Sequence, residues 1–231
     1  TQAKTSLIKS KKVLNIQLDQ HTNNIWFLTE DALELYNRKT GMISAFSIQS
    51  FQPDLKSFEP FIDFFISENH TIWIISESTI FKMTDGLKVS SFAIPQQYIT
   101  RLTCLKGDKH GNIWIGTNNG ILVFDANSEK FTELFSQNTD YNSLLTDKYI
   151  TKLYIDSKDN LWIGTRNGFN RFDPVDIDFE KYYPNLQKKH PDNEIRFINE
   201  DNKGNLIIIT NNNIIFFNPV TSKFSSPDLH L

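Results

Sequence analysis

The tryptophans of this chain do not scatter. All four lie in one local context, Asn24-Ile25-Trp26, Thr71-Ile72-Trp73, Asn112-Ile113-Trp114 and Asn160-Leu161-Trp162. A fifth copy, Asn205-Leu206-Ile207, keeps the context with Ile in place of Trp. Successive copies stand 47, 41, 48 and 45 residues apart, so five units fill the 231 residues. A period of this length means a repeat architecture, in which each unit buries its apolar face on its neighbours.

The fourth unit shows what the repeat is. Tyr149 to Ile155 is rich in β-branched and aromatic residues, which suit a pleated, half-buried surface. The segment from Asp156 to Asn160 supplies turn chemistry, because Asp and Asn bond to nearby backbone. Leu161-Trp162-Ile163 forms a second strand that ends at Gly164-Thr165, and Arg166-Asn167-Gly168 turns into a third, Phe169 to Phe172. Pro174 forbids further ladder pairing there, and Phe179 to Tyr183 makes the fourth strand. Four short antiparallel strands per unit of about 45 residues are the signature of a β-propeller blade. The expectation is therefore an all-β chain, a single propeller region over residues 1–231. Its approximate blades are 12–50, 60–93, 99–136, 147–184 and 194–227. No unit shows a sustained 3.6-residue apolar period, which disfavours a helical solenoid.

Composition narrows the function. With 24 basic and 27 acidic side chains the chain carries a formal charge of −3, without the basic footprint of a nucleic-acid binder. Cys104 is the one cysteine, so neither an intrachain disulfide nor a cysteine-rich metal site is expected, and a buried small hydrophobe is. No stretch approaches the ~18 apolar residues that cross a bilayer. Nucleophile elbows, zinc-protease helices and phosphate-cradling loops are absent from the sequence.

The pattern Asp-x-x-Gly-Asn-Ile/Leu-Trp-Ile-Gly-Thr-x-x-Gly, followed by Phe-Asp, resembles the two-component-regulator propeller repeat. Asp108 to Asp125 carries it in full, Asp156 to Asp173 nearly so with Asp159 in place of its first Gly, and Asn142-Ser143-Leu144-Leu145 resembles the approach between blades of that family. The fifth unit matches in part, and the first two match only around Ile25-Trp26 and Ile72-Trp73. The resemblance implies the periplasmic sensor region of a Bacteroides-type hybrid two-component system, the ectodomain of an inner-membrane protein that signals to a histidine kinase outside this region. It implies seven blades where five are counted, so the chain is expected to be a portion of a larger propeller. Partners would then be the remaining blades or domains of the same protein, a second copy in a homodimer, and an oligosaccharide ligand.

Candidate residues divide into structural and functional. The recurring Asp19, Asp108, Asp156 and Asp201 precede a hairpin turn and read as turn stabilisers rather than catalytic acids or calcium ligands. The four Trp read as core between blades. His21, His70 and His110 sit in the first turns of different blades, which should hold them far apart and exclude a shared metal site. Gly111, Gly116 and Gly120 read as hairpin glycines. No cofactor and no catalytic set is expected.

Ligands of propellers use the rim formed by the second-to-third strand turns and the connections between blades, loops on a rigid scaffold. That places Gln96 to Tyr98, Asp140 to Lys148, Gln187 to Asn193 and Asn211 to Asn213 on one rim. The candidate binding residues are Tyr98, Arg101, Asn118, Asn119, Tyr141, Arg166, Asn167, Lys188 and Lys189. Amides and guanidinium groups bond sugar hydroxyls in pairs, Tyr offers a stacking face, and the cations suit acidic or sulfated glycans. Two alternatives stay open: a propeller-fold glycosidase or polysaccharide lyase, with Asp140, Asp147 and Glu194 as rim acids, or a structural segment that touches no ligand.

Overall fold

The computed structural model describes residues 12–51, 59–84, 88–98, 101–135, 145–173, 178–185 and 190–226. It is all-β with five four-stranded antiparallel sheets, the propeller blades expected from the repeat. Blade one is β1 (Val13–Leu18), β2 (Ile25–Thr29), β3 (Ala32–Asn37) and β4 (Met42–Ser47). Blade two is β5 (Asp63–Ile66), β6 (Ile72–Ile75), β7 (Thr79–Thr84) and β8 (Lys88–Ala93). Blade three is β9 (Leu102–Gly107), β10 (Asn112–Thr117), β11 (Gly120–Asp125) and β12 (Lys130–Phe135). Blade four is β13 (Ile150–Ile155), β14 (Leu161–Thr165), β15 (Gly168–Asp173) and β16 (Asp178–Tyr182). Blade five is β17 (Ile195–Glu200), β18 (Leu206–Thr210), β19 (Ile214–Asn218) and β20 (Lys223–Ser225). Every blade is a meander in which each strand pairs with the next, the simplest way to join neighbours by short turns. Among the described residues, helix is confined to single turns at Ile48–Phe51, Gln96–Tyr98 and Pro191–Asn193.

The chain forms two compact units, Thr1–Ile99 with blades one and two, and Thr100–Leu231 with blades three to five. In the first, Trp26, Leu28 and Leu33 of blade one share a core with Phe64, Ile74 and Phe81 of blade two. In the second, Trp114, Ile121 and Cys104 pack on Ile150, Leu153 and Ile163 of the next blade, and Trp162 and Phe169 pack on Ile195, Ile208 and Phe217 of the one after. All four tryptophans are buried, as is Cys104. Each face is apolar at every second residue, so one blade covers the next.

The recurring aspartates stabilise turns. Asp156 accepts from the backbone N–H groups of Lys158 and Asn160 at 3.0 and 2.9 Å and from the indole Nε1–H of Trp162 at 2.8 Å. Asp108 repeats this with His110, Asn112 and Trp114. One carboxylate thus shapes the first hairpin and fixes the ring that fills the space between blades.

Gly116 corrects the sequence reading: it is not a hairpin glycine but lies inside β10. A Cβ there would stand 2.6 Å from Cys104 Sγ and 2.7 Å from Ile150 Cγ2 of the next blade. Gly164 has the same role, with Ile195 Cγ2 at 2.8 Å. These glycines admit the β-branched residue that opens the following blade.

The histidine expectation is also overturned in part. His21 and His70 lie on adjacent blades whose first turns come together, and their rings meet at 4.0 Å between centroids. His70 Nδ1 is 3.4 Å from Asp19 Oδ1. Neighbouring repeats place equivalent turns side by side, however distant in sequence. Among the described residues no group of three His, Cys, Asp or Glu side chains is arranged to hold a metal ion.

Candidate functional site

The turns between second and third strands share one construction. A hydroxyl ends or directly follows the second strand of every blade: Thr29, Ser76, Thr117, Thr165 and Thr210, all buried. Thr117 Oγ1 donates to Gly120 O at 2.9 Å and accepts from Asn119 N at 2.9 Å. Thr165 Oγ1 donates to Gly168 O at 2.8 Å and accepts from Asn167 N at 3.0 Å. Thr29 donates to Ala32 O, Ser76 to Thr79 O and Thr210 to Asn213 O. The side chain satisfies backbone groups that the tight turn leaves over. The Gly-Thr pair that stands out in the sequence occurs in two blades; the hydroxyl, present in all five copies, is the better signal.

In the second unit these turns are tied to the segments that lead into the first strands. Asn118 N donates to Arg101 O at 2.9 Å, and Arg101 N donates to Asn118 Oδ1 at 3.2 Å. Gly120 N donates to Lys148 O at 2.7 Å, and Arg166 N to Tyr149 O at 3.2 Å. Thr146 Oγ1 reaches Thr165 Oγ1 at 2.9 Å and Asn170 Oδ1 at 2.8 Å, a buried polar knot beneath the surface. Each turn therefore holds the approach of its own or the following blade.

On that surface the exposed Arg166 lays its guanidinium over the Tyr149 ring, 3.6 Å from the centroid. A cation held on an aromatic face in this way gains about 0.5–1 kcal/mol at an exposed site. A guanidinium on an aromatic face can still offer its N–H edge, where a carboxylate or sulfate can take two parallel bonds. Tyr149 is not among the residues that the sequence singles out, because an aromatic just ahead of an inner strand reads simply as strand. Arg101 is exposed near Asn118, while Asn119 and Asn167 are half-buried in their turns.

The fifth-blade turn is satisfied from within its own blade and the segment before it. Asn211 Oδ1 accepts from Arg196 Nε at 2.6 Å, and its Nδ2 donates to Glu194 Oε2 at 3.0 Å. Asn212 Nδ2 donates to Asp192 Oδ1 at 2.6 Å. Asn193, fully buried, donates to Asn167 Oδ1 at 3.4 Å and accepts from Asn185 N at 2.7 Å. Of the rim acids, Asp147 accepts from Tyr149 N at 2.7 Å, and Glu194 is held by Asn211 and by Arg196 at 3.3 Å. Both carboxylates are committed to shaping the chain.

The second unit thus gathers Arg101, Asn118, Asn119, Arg166 and Asn167 at one end of its blades. Tyr98 closes the short turn Gln96–Tyr98 in the first unit, with its N–H on Pro95 O at 2.8 Å. Tyr141, Lys188 and Lys189 lie outside the described residues, as does Asp140.

A family profile described as the two-component regulator propeller matches residues 93–119 and 144–167, the two stretches that carry the Trp114 rim turn and the Trp162 rim turn. These two stretches are similar to two-component regulator propeller repeats. Their match ends at the very turns just described, at Asn119 and Asn167. Similar folds are found in the extracellular domain of a putative hybrid two-component system from B. thetaiotaomicron, at 20% identity and a TM-score of 0.70. The alignment covers 92% of this chain and 29% of that one, so the chain spans under a third of that ectodomain. A streptogramin B lyase matches at 19% identity and a TM-score of 0.72, over 95% of this chain and 69% of the lyase. Virginiamycin B lyase from Staphylococcus aureus matches at 15% identity and a TM-score of 0.71, over 92% and 68%. No curated protein sequence matches the chain.

Proposed function

We propose that the chain is the ligand-recognition part of an extracytoplasmic sensor of the two-component class, binding an oligosaccharide at the rim of its second unit. The observation that carries this reading is the Arg166 guanidinium held over Tyr149 at 3.6 Å, beside turns whose backbones are locked by buried hydroxyls. Rigid polar turns with an exposed, oriented cation favour a ligand bearing carboxylate or sulfate groups, an acidic glycan fragment. The repeat family and the fold shared with a two-component ectodomain support a periplasmic setting, an inner-membrane anchor and a histidine kinase beyond this region. Further blades and a second copy complete the assembly in this reading, since a signal requires that ligand prefer one arrangement of the partners over another.

A second reading, catalysis, draws on the lyases of the same fold. It is the weaker one because Asp147 and Glu194 already serve the chain's own donors. Calorimetry with a panel of acidic and neutral oligosaccharides, with product analysis of each sample, separates the two. Heat without product, confined to acidic members and weakened about tenfold or more by Arg166→Ala, is the expected result, since a charge-assisted pair is worth at least 1.4 kcal/mol. New reducing ends or unsaturated products would establish catalysis instead.

A further inference from the structure

The strand register sets two residues of a blade opposite one another at the rim. Val13, Leu102, Ile150 and Ile195 open their inner strands and face Thr29, Thr117, Thr165 and Thr210 across the first ladder. The next rung therefore brings together the residue ahead of the inner strand and the first residue of the rim turn. These tip pairs are Lys12 with Glu30 in blade one, Arg101 with Asn118 in blade three, Tyr149 with Arg166 in blade four and Glu194 with Asn211 in blade five. All four are in contact, each by a different chemistry.

Charge separates them. In blade one Lys12 Nζ lies 2.7 Å from Glu30 Oε1, so the pair neutralises itself. In blade five Glu194 is met by Asn211 Nδ2 at 3.0 Å and by Arg196 Nη2 at 3.3 Å, so its charge too is matched within the blade. Blades three and four differ. Arg101 bonds Asn118 through its backbone, N–H to Asn118 Oδ1 and C=O from Asn118 N, which leaves the exposed guanidinium out of the pair. Arg166 rests on a neutral ring. Each of these two pairs keeps a whole positive charge.

The two pairs adjoin. Gly120 N, at the end of the blade-three rim turn, donates to Lys148 O at 2.7 Å, and the exposed Lys148 directly precedes Tyr149. Arg101, Lys148 and Arg166 thus lie along one path over the seam of blades three and four. The acid of that path, Asp147, is half-buried and accepts from Tyr149 N at 2.7 Å. Three cations against one carboxylate raise the local concentration of anions, and guanidinium forks match carboxylate and sulfate.

We infer that this seam takes a ligand carrying at least two acid groups on one short chain, one for the Arg101 guanidinium and one for that of Arg166, with Lys148 beside them. The inference rests on the reading of the rim as an oligosaccharide site and deepens it. The sugar is a polyacidic fragment rather than a singly charged one, and blades one and five, whose tip charges are matched internally, do not select for charge.

The test is an amide NMR titration of the isotope-labelled chain with digalacturonate and trigalacturonate, galacturonate (a single acid group) and glutarate (two acid groups, no sugar). Saturable shifts at Asn118, Gly120, Lys148 and Arg166 are expected. The oligogalacturonates should bind about tenfold or more tighter than galacturonate, the worth of a second charge-assisted pair. Arg101→Gln should remove that advantage and leave the weaker binding of galacturonate in place. Oligogalacturonates no tighter than galacturonate, or an advantage that survives Arg101→Gln, would overturn the inference and leave the oligosaccharide reading standing. Glutarate binding as tightly as digalacturonate would keep the two anion positions and sink the oligosaccharide reading. Silence from every probe at millimolar concentration would overturn both.

Discussion

The junction between blades one and two solves the problem of stacking sheets differently from the junctions among blades three to five. In the second unit a glycine inside the second strand, Gly116 or Gly164, lets Ile150 or Ile195 of the next blade come against the backbone. In the first unit the same strand position holds Leu28 and Ile75, both fully buried. There the inner strands are bridged by side-chain amides instead. Gln17 donates to Phe64 O at 2.5 Å and accepts from Ile66 N at 3.1 Å, and Asn15 donates to Asp63 Oδ1 at 2.6 Å. Gln17 thus serves as a strand partner for β5 on a junction where no glycine opens the way. The comparison teaches that the repeat's recognisable letters track one packing device, and that the blade survives when a different device takes over.

The sharpest way to break the comparison is to move one device into the other unit. Gly164→Leu, which installs the first unit's residue in the second, should cost up to about 3 kcal/mol by overpacking against Ile195. A calorimetric melt should show the loss, and hydrogen exchange should place it in blades four and five. Gln17→Ala should cost about 1–2 kcal/mol, because it leaves Phe64 C=O and Ile66 N–H without their shared partner. Its exchange signature should stay within blades one and two.

The smallest effect sharpens the comparison by pH. Burial alone would push Asp19 up, yet the side-chain and backbone hydrogen bonds from Thr22, the His21 N–H and the nearby His70 bring its pKa below the ordinary value. A carboxyl depressed in the folded state adds stability above the unfolded-state value, about 3.9, and that stability is lost as pH falls through the depressed value. The amide resonances of His21 and Thr22 should therefore titrate with a midpoint below about 3.9. A midpoint at or above that figure would show that the clasp contributes nothing.

The fold was legible because its determinants are local and periodic. A turn aspartate, a strand tryptophan and a turn glycine recur on a fixed spacing, and each is visible in one dimension. What sequence could not display was relation across blades. His21 and His70 are 49 positions apart and meet because equivalent turns of neighbouring repeats are adjacent. Gly116 looks like punctuation in one dimension because its reason, Ile150, belongs to the following unit. At the rim, turn tips such as Asn118 and Arg166 could be assigned to one end of the blades from strand order alone. The pairing of Arg166 with Tyr149 could not, because it depends on where one side chain falls relative to the approach of its own blade.

The buried hydroxyl that closes each second-to-third strand turn separates shape from identity at the tips. Because Thr117 fixes its turn from inside, through the backbone N–H of Asn119, that turn does not depend on which side chain position 119 carries. Natural selection can thus change such a tip residue without disturbing the scaffold. Duplicated genes built on such a repeat can diverge toward new chemical signals by surface edits alone.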